Sequence, residues 1–167
     1  MAGTRIVQLD EIPLNDVGNG QSFVAKVGRA GPLLGSTGLG CSLTIVPPGK
    51  RAYPFHRHHV IHEMFYVLSG EGEVRIGKER MPIGAGSLIA SPAGAEAHQI
   101  VNSSKEELRY LAFSTIGEVD VLEYPDSAKV AAAAGIKNAD FKTATIKFLS
   151  RPDAGLGYFD GEEPPKA

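Results

Sequence analysis

The fold is decided by residues 49–70, which read GKRAYPFHRHHVIHEMFYVLSG. Within this stretch, MFYVL at positions 64–68 is aromatic and β-branched, which is typical of a strand. Ser69 and Gly70 follow directly and predict a turn. The stretch therefore predicts a strand that is preceded by a histidine-rich, proline-containing loop and ended by a tight turn.

Segments of the same kind extend in both directions along the chain. Upstream, Cys41, Leu43 and Ile45 alternate with polar neighbours, which is the two-residue period of a half-buried strand. Twenty glycines and 11 prolines among 167 residues exceed the average share of about 12% and indicate many turns. Strands that recur every 8–12 residues or so predict an all-β sandwich or barrel. Further apolar segments separated by turn residues lie at 74–76, 81–83, 88–90, 97–101 and 108–113.

Composition excludes several classes of protein. The 17 basic and 19 acidic residues give a formal charge of −2, which argues against a nucleic-acid-binding protein. No apolar run approaches the ~18 residues of a membrane span, and the first residues lack the pattern of a signal peptide. Cys41 is the single cysteine, so there is no internal disulfide, and we expect a cytoplasmic protein with Cys41 in its core.

The chain divides into three parts. We predict an N-terminal arm over 1–24, a barrel over 25–125, and a C-terminal region over 126–167. In that last region the alanine-rich run at 128–134 predicts one short helix, capped by Asp126 or Ser127 and ended by Gly135. A further strand is predicted over 141–149, followed by a surface tail.

Five histidines lie within 43 consecutive residues, which predicts a shared task. His56 and His58 are two apart, and on a strand this spacing places both side chains on one face. Glu63 follows, and His98 arrives from a different strand. Three imidazoles and a carboxylate without a thiolate suit a first-row metal with coordination positions left for other ligands.

A helical metal site is the competing interpretation. His58 and His62 have the i, i+4 spacing of a zinc metalloprotease helix, but Glu63 follows the second histidine instead of the first. The MFYVL run that comes next also favours a strand. We therefore favour ligands carried by strands.

Two motifs resemble those of the cupin superfamily. Residues 49–70 have the spacing G-x6-H-x-H-x4-E-x6-G and resemble the first cupin motif, with one extra residue before His56. Residues 86–102 have the spacing G-x5-P-x-G-x3-H-x3-N and resemble the second, with one extra residue before His98. The 15 residues between the motifs are similar to the spacing in small microbial cupins.

The resemblance implies a double-stranded β-helix, or jelly-roll barrel, that holds one divalent transition metal (Zn, Mn, Fe, Ni or Co) near one mouth. It also implies a homodimer that acts on a small molecule rather than on nucleic acid or a membrane. Carried over by motif, the implied metal ligands are His56, His58, Glu63 and His98.

The segments LLGSTGL at 33–39 and YPDS at 124–127 extend the resemblance to single-domain cupins that are provisionally labelled sugar-phosphate (phosphomannose-type) isomerases. We expect a metal-dependent enzyme of that isomerase type. Two alternatives stay open at this point: a non-haem iron dioxygenase, and a non-catalytic cupin that binds or senses a small molecule.

Other residues near the motifs are candidates for catalysis. Arg51 and Tyr53 flank the histidine loop, where they could meet an anionic substrate, and Glu96 precedes His98, where it could act as a general base. His59 and His62 are adjacent to predicted ligands, so on a strand they should face away, and their roles stay open.

Overall fold

Antiparallel strands make up nearly half of the residues in the computed structural model, which describes residues 6–137 and 140–160. The first five residues of the predicted N-terminal arm, residues 138–139 and the last seven residues of the predicted tail lie outside the described part. The strands of the described part are β1 Asn15–Gly18, β2 Val24–Arg29, β3 Leu39–Val46, β4 Arg57–His58, β5 Glu63–Ser69, β6 Glu71–Ile76, β7 Glu79–Gly84, β8 Leu88–Ser91, β9 His98–Val101, β10 Leu108–Thr115, β11 Val119–Tyr124, β12 Lys129–Ala134 and β13 Ile146–Ser150.

Three sheets arrange these strands. A six-stranded sheet has the order β1-β2-β3-β10-β5-β8, a three-stranded sheet has the order β7-β6-β9, and a four-stranded sheet has the order β13-β12-β11-β4. One α-helical turn, Ala30–Leu33, follows β2. In the described part no helix is long and apolar enough to cross a membrane. The predicted all-β double-stranded β-helix is confirmed.

The core lies between the six-stranded and three-stranded sheets, and strand alternation builds it. In β5, Phe65 and Val67 are buried while Met64 and Tyr66 are exposed, because successive side chains point to opposite faces. Val67 packs in one apolar cluster with residues from the opposite sheet. The members contributed by that sheet are Val74, Ile83 and Ile100.

A second apolar cluster covers part of the outer face of the six-stranded sheet. Ile12, Ala30 and Leu43 are its buried members. Residues preceding β2 therefore pack on the barrel, and β1 within the predicted arm adds a strand to the sheet through its antiparallel pairing with β2.

The short helix predicted over 128–134 is wrong: these residues form β12, after a single 3₁₀ turn at Pro125–Ser127. Ala128 has a left-handed φ of 48°, which stops a helix at that point. Helix propensity is a weak preference in so short a segment. Here β12 pairs with β11 on one side and β13 on the other, so both edges of its backbone are hydrogen-bonded. Of the strand predicted over 141–149, only the second half is present: Phe141–Thr143 form a 3₁₀ turn, and β13 begins at Ile146.

Replacement of Gly70 by alanine is expected to lower the free energy of unfolding by about 3 kcal/mol. The residue has a φ of +82°, and an added Cβ would meet the backbone of Glu107, so conformational strain and a steric clash both contribute. Gly49→Ala is the matched control, because Gly49 has a φ of +71° with open space around its Cβ position; its expected cost is only about 1 kcal/mol. Urea unfolding of the metal-free protein measures both, and equal losses would contradict the account of Gly70.

Candidate metal centre

A deep cavity of about 1160 Å³ runs between the barrel and the four-stranded sheet. Its lining includes residues of β3, β5 and β10 on one side and of β11, β12 and β13 on the other. The histidines of the sequence motifs face into it, and so does Glu63. The cavity therefore places the predicted chemistry where a small molecule can enter.

Backbone pairing brings two of the predicted ligands together from distant parts of the chain. The amide of His56 donates to the carbonyl of His98 at 3.1 Å, and the amide of His98 donates to the carbonyl of His56 at 2.8 Å. This bridge holds the two imidazoles side by side, with ring centroids 4.8 Å apart. His98 itself is almost fully buried.

The carboxylate of Glu63 lies at the centre of the three histidines. Its Oε2 is 3.1 Å from Nε2 of His98, 3.3 Å from Nε2 of His58 and 4.0 Å from Nε2 of His56. Potential ligand atoms of His56, Glu63 and His98 all lie within 4.8 Å of one another. His58 lies outside that group of three and joins it through Glu63, since its Nε2 is 3.3 Å from Glu63 Oε2.

These donors fit a first-row metal. Oε2 of Glu63 and Nε2 of His98 are buried without a hydrogen-bond partner, although they are close, because their geometry does not align a proton between them. Two atoms bound to one metal at about 2.1 Å and at right angles or tetrahedral angles are about 3.0–3.4 Å apart. Buried polar atoms that lack partners and have this spacing are suited to share a cation.

Asp120 of β11 is a component of the site that the sequence interpretation missed. Its side chain is completely buried; Oδ2 accepts a hydrogen bond from Nδ1 of His58, and Oδ1 accepts one from the amide of Val60 at 3.2 Å. A carboxylate behind a histidine fixes the ring so that the opposite nitrogen, Nε2, faces the metal position. The sequence could have revealed Asp120 through strand alternation, because Asp120 and Leu122 are two residues apart in β11 and both point inward.

Burial and neighbouring charges shift the pKa values of three side chains in the metal-free site: His56, His58 and Glu63. Burial, with a smaller contribution from His98, lowers the pKa of His56 to about 4. Burial also opposes the charged form of His58, but the neighbouring carboxylates of Asp120 and Glu63 outweigh it and raise the pKa of His58 to about 9. Despite its burial, the pKa of Glu63 is held well below its usual range by His58 and His98. At neutral pH His58 is therefore protonated beside an ionised Glu63, and His56 is neutral.

Aromatic rings surround these polar groups. Tyr124 stacks on His56 at a centroid distance of 6.1 Å, and Phe65 contacts His98 at 5.4 Å. Tyr110 is buried on the cavity wall. These rings limit the access of water and fix the imidazoles in place.

The three catalytic candidates occupy different places. Tyr53 lines the cavity, and the segment that carries it is held by Gln99, whose Nε2 donates to the Tyr53 carbonyl at 2.8 Å. Arg51 instead lies over the ring of Phe23 at 5.9 Å. The carboxylate of Glu96 packs against the Gly77 turn. Of the three, the structure brings only Tyr53 to the cavity lining.

The two remaining histidines have partners away from the cluster. Nε2 of His59 lies 2.8 Å from Oε1 of Glu123, a carboxylate that also accepts hydrogen bonds from Arg57. Nδ1 of His62 accepts a hydrogen bond from the amide of Ala93 at 3.3 Å. Both are thus placed to stabilise loops around the site.

Residues 42–114 match the family model described as a cupin domain. This match covers both histidine motifs and less than half of the chain, and it agrees with the jelly-roll architecture, so these residues resemble a cupin domain.

Two solved structures are similar over most of the chain. One, from Acidithiobacillus ferrooxidans and provisionally named a sugar phosphate isomerase, has a TM-score of 0.70 at 27% identity and covers 81% of each chain. The other, described as a sugar phosphate isomerase from a cupin superfamily of Silicibacter pomeroyi, has a TM-score of 0.76 at 20% identity and covers 93% of this chain and 98% of its own. The second shows likeness of fold alone.

A curated relative is similar over the central motifs. The oxalate-binding protein of Thermotoga maritima is 34% identical over 67 residues, which are 40% of this chain. The match spans 54% of the relative, so the chain covers about half of its length.

Proposed function

We propose that this protein is a metal-dependent enzyme of the sugar or sugar-phosphate isomerase type. The observation that carries the proposal is the cluster of His56, Glu63 and His98 in a large cavity, with His58 beside Glu63. Oε2 of Glu63 and Nε2 of His98 are buried there without a hydrogen bond. These four side chains are the proposed ligands of one divalent transition metal. Six-coordinate metals would keep two positions for a substrate that chelates through neighbouring oxygens.

A bound metal of this kind supplies Lewis-acid polarisation of a carbonyl, which makes the adjacent C–H bond more acidic. The chain's own residues orient the substrate and handle protons. Burial, followed by the charge of Glu63, raises the pKa of Tyr53, and burial raises that of Tyr110. Both phenols therefore stay neutral at pH 7 and can donate hydrogen bonds to substrate oxygens within the cavity. Tyr53 is the proposed proton donor to a substrate oxygen.

The similar structures support the isomerase assignment. The Acidithiobacillus protein, at 27% identity and a TM-score of 0.70, carries a sugar-phosphate name. The oxalate-binding relative, at 34% identity over the motif region, favours a second candidate, namely non-catalytic binding of a small chelating acid. Both candidates need the same metal site and differ in whether the bound molecule is converted.

The deciding experiment combines metal analysis, ligand binding and turnover. Protein purified without chelator is assayed for metal and screened by thermal shift against hydroxy acids and sugar phosphates, with Glu63→Ala as the site control. Hits that stabilise only metal-loaded protein and turn over under both air and nitrogen support an isomerase. Turnover in air alone indicates a dioxygenase. Ligands that need the metal but are not converted indicate a binding protein. Ligands that stabilise metal-free and metal-loaded protein equally contradict the proposal.

We further propose that the protein is a homodimer packed sheet to sheet. The outer face of β5 and β8 exposes Met64, Tyr66 and Leu88, with Leu88 65% exposed. The C-terminal segment exposes Tyr158 and Phe159 at 89% and 76%. In a two-fold dimer the C-terminal segment of each chain can cover the β5 and β8 face of the other chain. One symmetric contact then buries both apolar surfaces of both chains.

Light scattering at micromolar concentration is expected to give about twice the chain mass of 17.7 kDa. Leu88→Glu places a charge in the proposed interface, so it should shift the mass toward that of one chain. Met81→Glu is the matched control, because Met81 is an exposed apolar residue on the opposite sheet. A wild-type mass near 17.7 kDa would overturn the dimer.

A further inference from the structure

Two lysines share the face of the four-stranded sheet that carries Asp120: Lys129 of β12 lies over the ring of Tyr124 at 5.5 Å, and Lys147 of β13 is exposed and lines the cavity. Lys147 of β13 is the register partner of Ala133 in β12, and Ala133 is the partner of Asp120 in β11. Residues paired across strands share one face of a sheet. Lys147 therefore lies on the face that carries Asp120 behind His58. Strand spacing of about 4.8 Å places the β-carbons of Asp120 and Lys147 about 10 Å apart.

The residues between these two positions leave the space open. Ala131 and Ala133 of β12 line the cavity, and each contributes only a methyl group. The volume of about 1160 Å³ is of the size that accepts a drug-sized or sugar-sized ligand. A two-carbon acid bound at the metal would fill little of it.

The charged residues that line the cavity also favour an anionic ligand. Among its lining residues, Asp140 forms an ion pair with Arg29 at 3.4 Å. Lys142 and Lys147 form no ion pair with any residue in the described part of the chain. Asp16 also lines the cavity, so Lys142 and Lys147 together leave these lining residues with one excess positive charge.

We propose that Lys147, assisted by Lys142, binds the terminal phosphate or carboxylate of a ligand whose other end chelates the metal. This inference rests on the proposed function and adds the class of substrate: a chelating molecule of several carbons with an anionic group at its far end. In oxalate the two carboxylate carbons are bonded directly to each other, so both carboxylates are used in chelating one metal and no distal anionic group is left for Lys147.

Calorimetry of the metal-loaded protein with matched probes tests this. Ribose 5-phosphate is compared with ribose, and 2-oxoglutarate is compared with 2-oxopentanoate, which lacks the distal carboxylate. The anionic member of at least one pair is expected to bind more tightly, and Lys147→Met should weaken that member about tenfold. The uncharged member should change by less than about twofold. The pair that shows the effect identifies the anion as phosphate or carboxylate.

Two variants control for general charge effects. Lys147→Arg keeps the cation and should keep most of the preference, and Lys78→Met removes a lysine from the turn between β6 and β7, far from the cavity lining. Equal losses for both members of a pair, or the same loss in Lys78→Met, would overturn the role of Lys147. Binding of oxalate but of none of the longer probes would overturn it as well. In each of those cases metal-dependent binding still supports the proposed function, which fails only if binding ignores the metal.

Discussion

Replacement of His98 by alanine is expected to abolish binding of a first-row divalent metal and to remove the stability that the metal confers. His98 is nearly fully buried, and its Nε2 lies 3.1 Å from Glu63 Oε2, so no exposed side chain can replace it without rearrangement. A metal at 1,000 times its dissociation constant stabilises the native state by about 4 kcal/mol. For a chain of this size that corresponds to a melting temperature roughly 8–16 °C higher.

The measurement is metal content by elemental analysis together with melting temperature, with and without a chelator. Wild type should lose stability when the metal is removed, while His98→Ala should melt at the same temperature under both conditions. His59→Ala is the matched control, because His59 is partly exposed and pairs with Glu123; its expected cost is below about 1 kcal/mol. If His98→Ala retains a full equivalent of metal, the assignment of the site is wrong.

Metal affinity is expected to rise about tenfold per pH unit from pH 7 up to about 9 and to level off above that. A metal must displace the proton from His58, whose pKa in the metal-free protein is raised to about 9. His56, with a pKa lowered to about 4, is already neutral over this range. Titrations with a fluorescent competitor at several pH values measure the slope, and an affinity that is constant from pH 7 to 9 would show that His58 is neutral before the metal binds.

Stability of the metal-free protein should depend on pH in a related way. The pKa of His58 is higher in the folded protein than the ordinary value of about 6.5, so its contribution is complete below pH 6.5 and is lost as pH rises through 9. The folded pKa of His56 is lower than that value, so stability falls as pH drops from 6.5 toward 4. The contribution of Glu63, whose folded pKa is depressed, is lost at still lower pH.

Asp120→Asn separates the charge of Asp120 from its hydrogen bond. The amide oxygen can still accept the Nδ1–H of His58, but the negative charge that helps to raise the pKa of His58 is absent. The pH at which metal affinity levels off should therefore move down toward 6.5. Glu123→Gln removes a carboxylate that pairs with His59 instead, so it should leave that pH unchanged.

Much of the barrel could be predicted from residues close together in the chain. Apolar and polar residues alternate in β5 and β10, and this alternation reports the two faces of a strand. Glycines report turns. Both signals come from local backbone geometry and do not depend on the rest of the fold. The resemblance of the two motifs to a family likewise selected four side chains, which the structure places in one cavity. Whether they hold a metal is the subject of the first prediction.

Helix propensity gave the wrong prediction at 128–134, where the alanine run forms the strand β12 instead of a helix. Its helix propensity is outweighed because β11 and β13 satisfy its backbone on both edges, and that pairing involves residues far away in the sequence. The same small side chains then form an open cavity wall instead of a helix face. Tertiary pairing thus decided both the strand and the space beside it.

By itself, the sequence determined the all-β class and the two motifs, because these follow from local periodicity and from the order of residues within short segments; the set of His56, His58, Glu63 and His98 came from the resemblance of those motifs to a family. Only the tertiary structure decided that Asp120 supports His58 from 62 residues away and that Lys147 shares its sheet face. Both depend on the register of β11, β12 and β13, and register is set by long-range packing and hydrogen bonding. The order of residues within any one segment does not specify it.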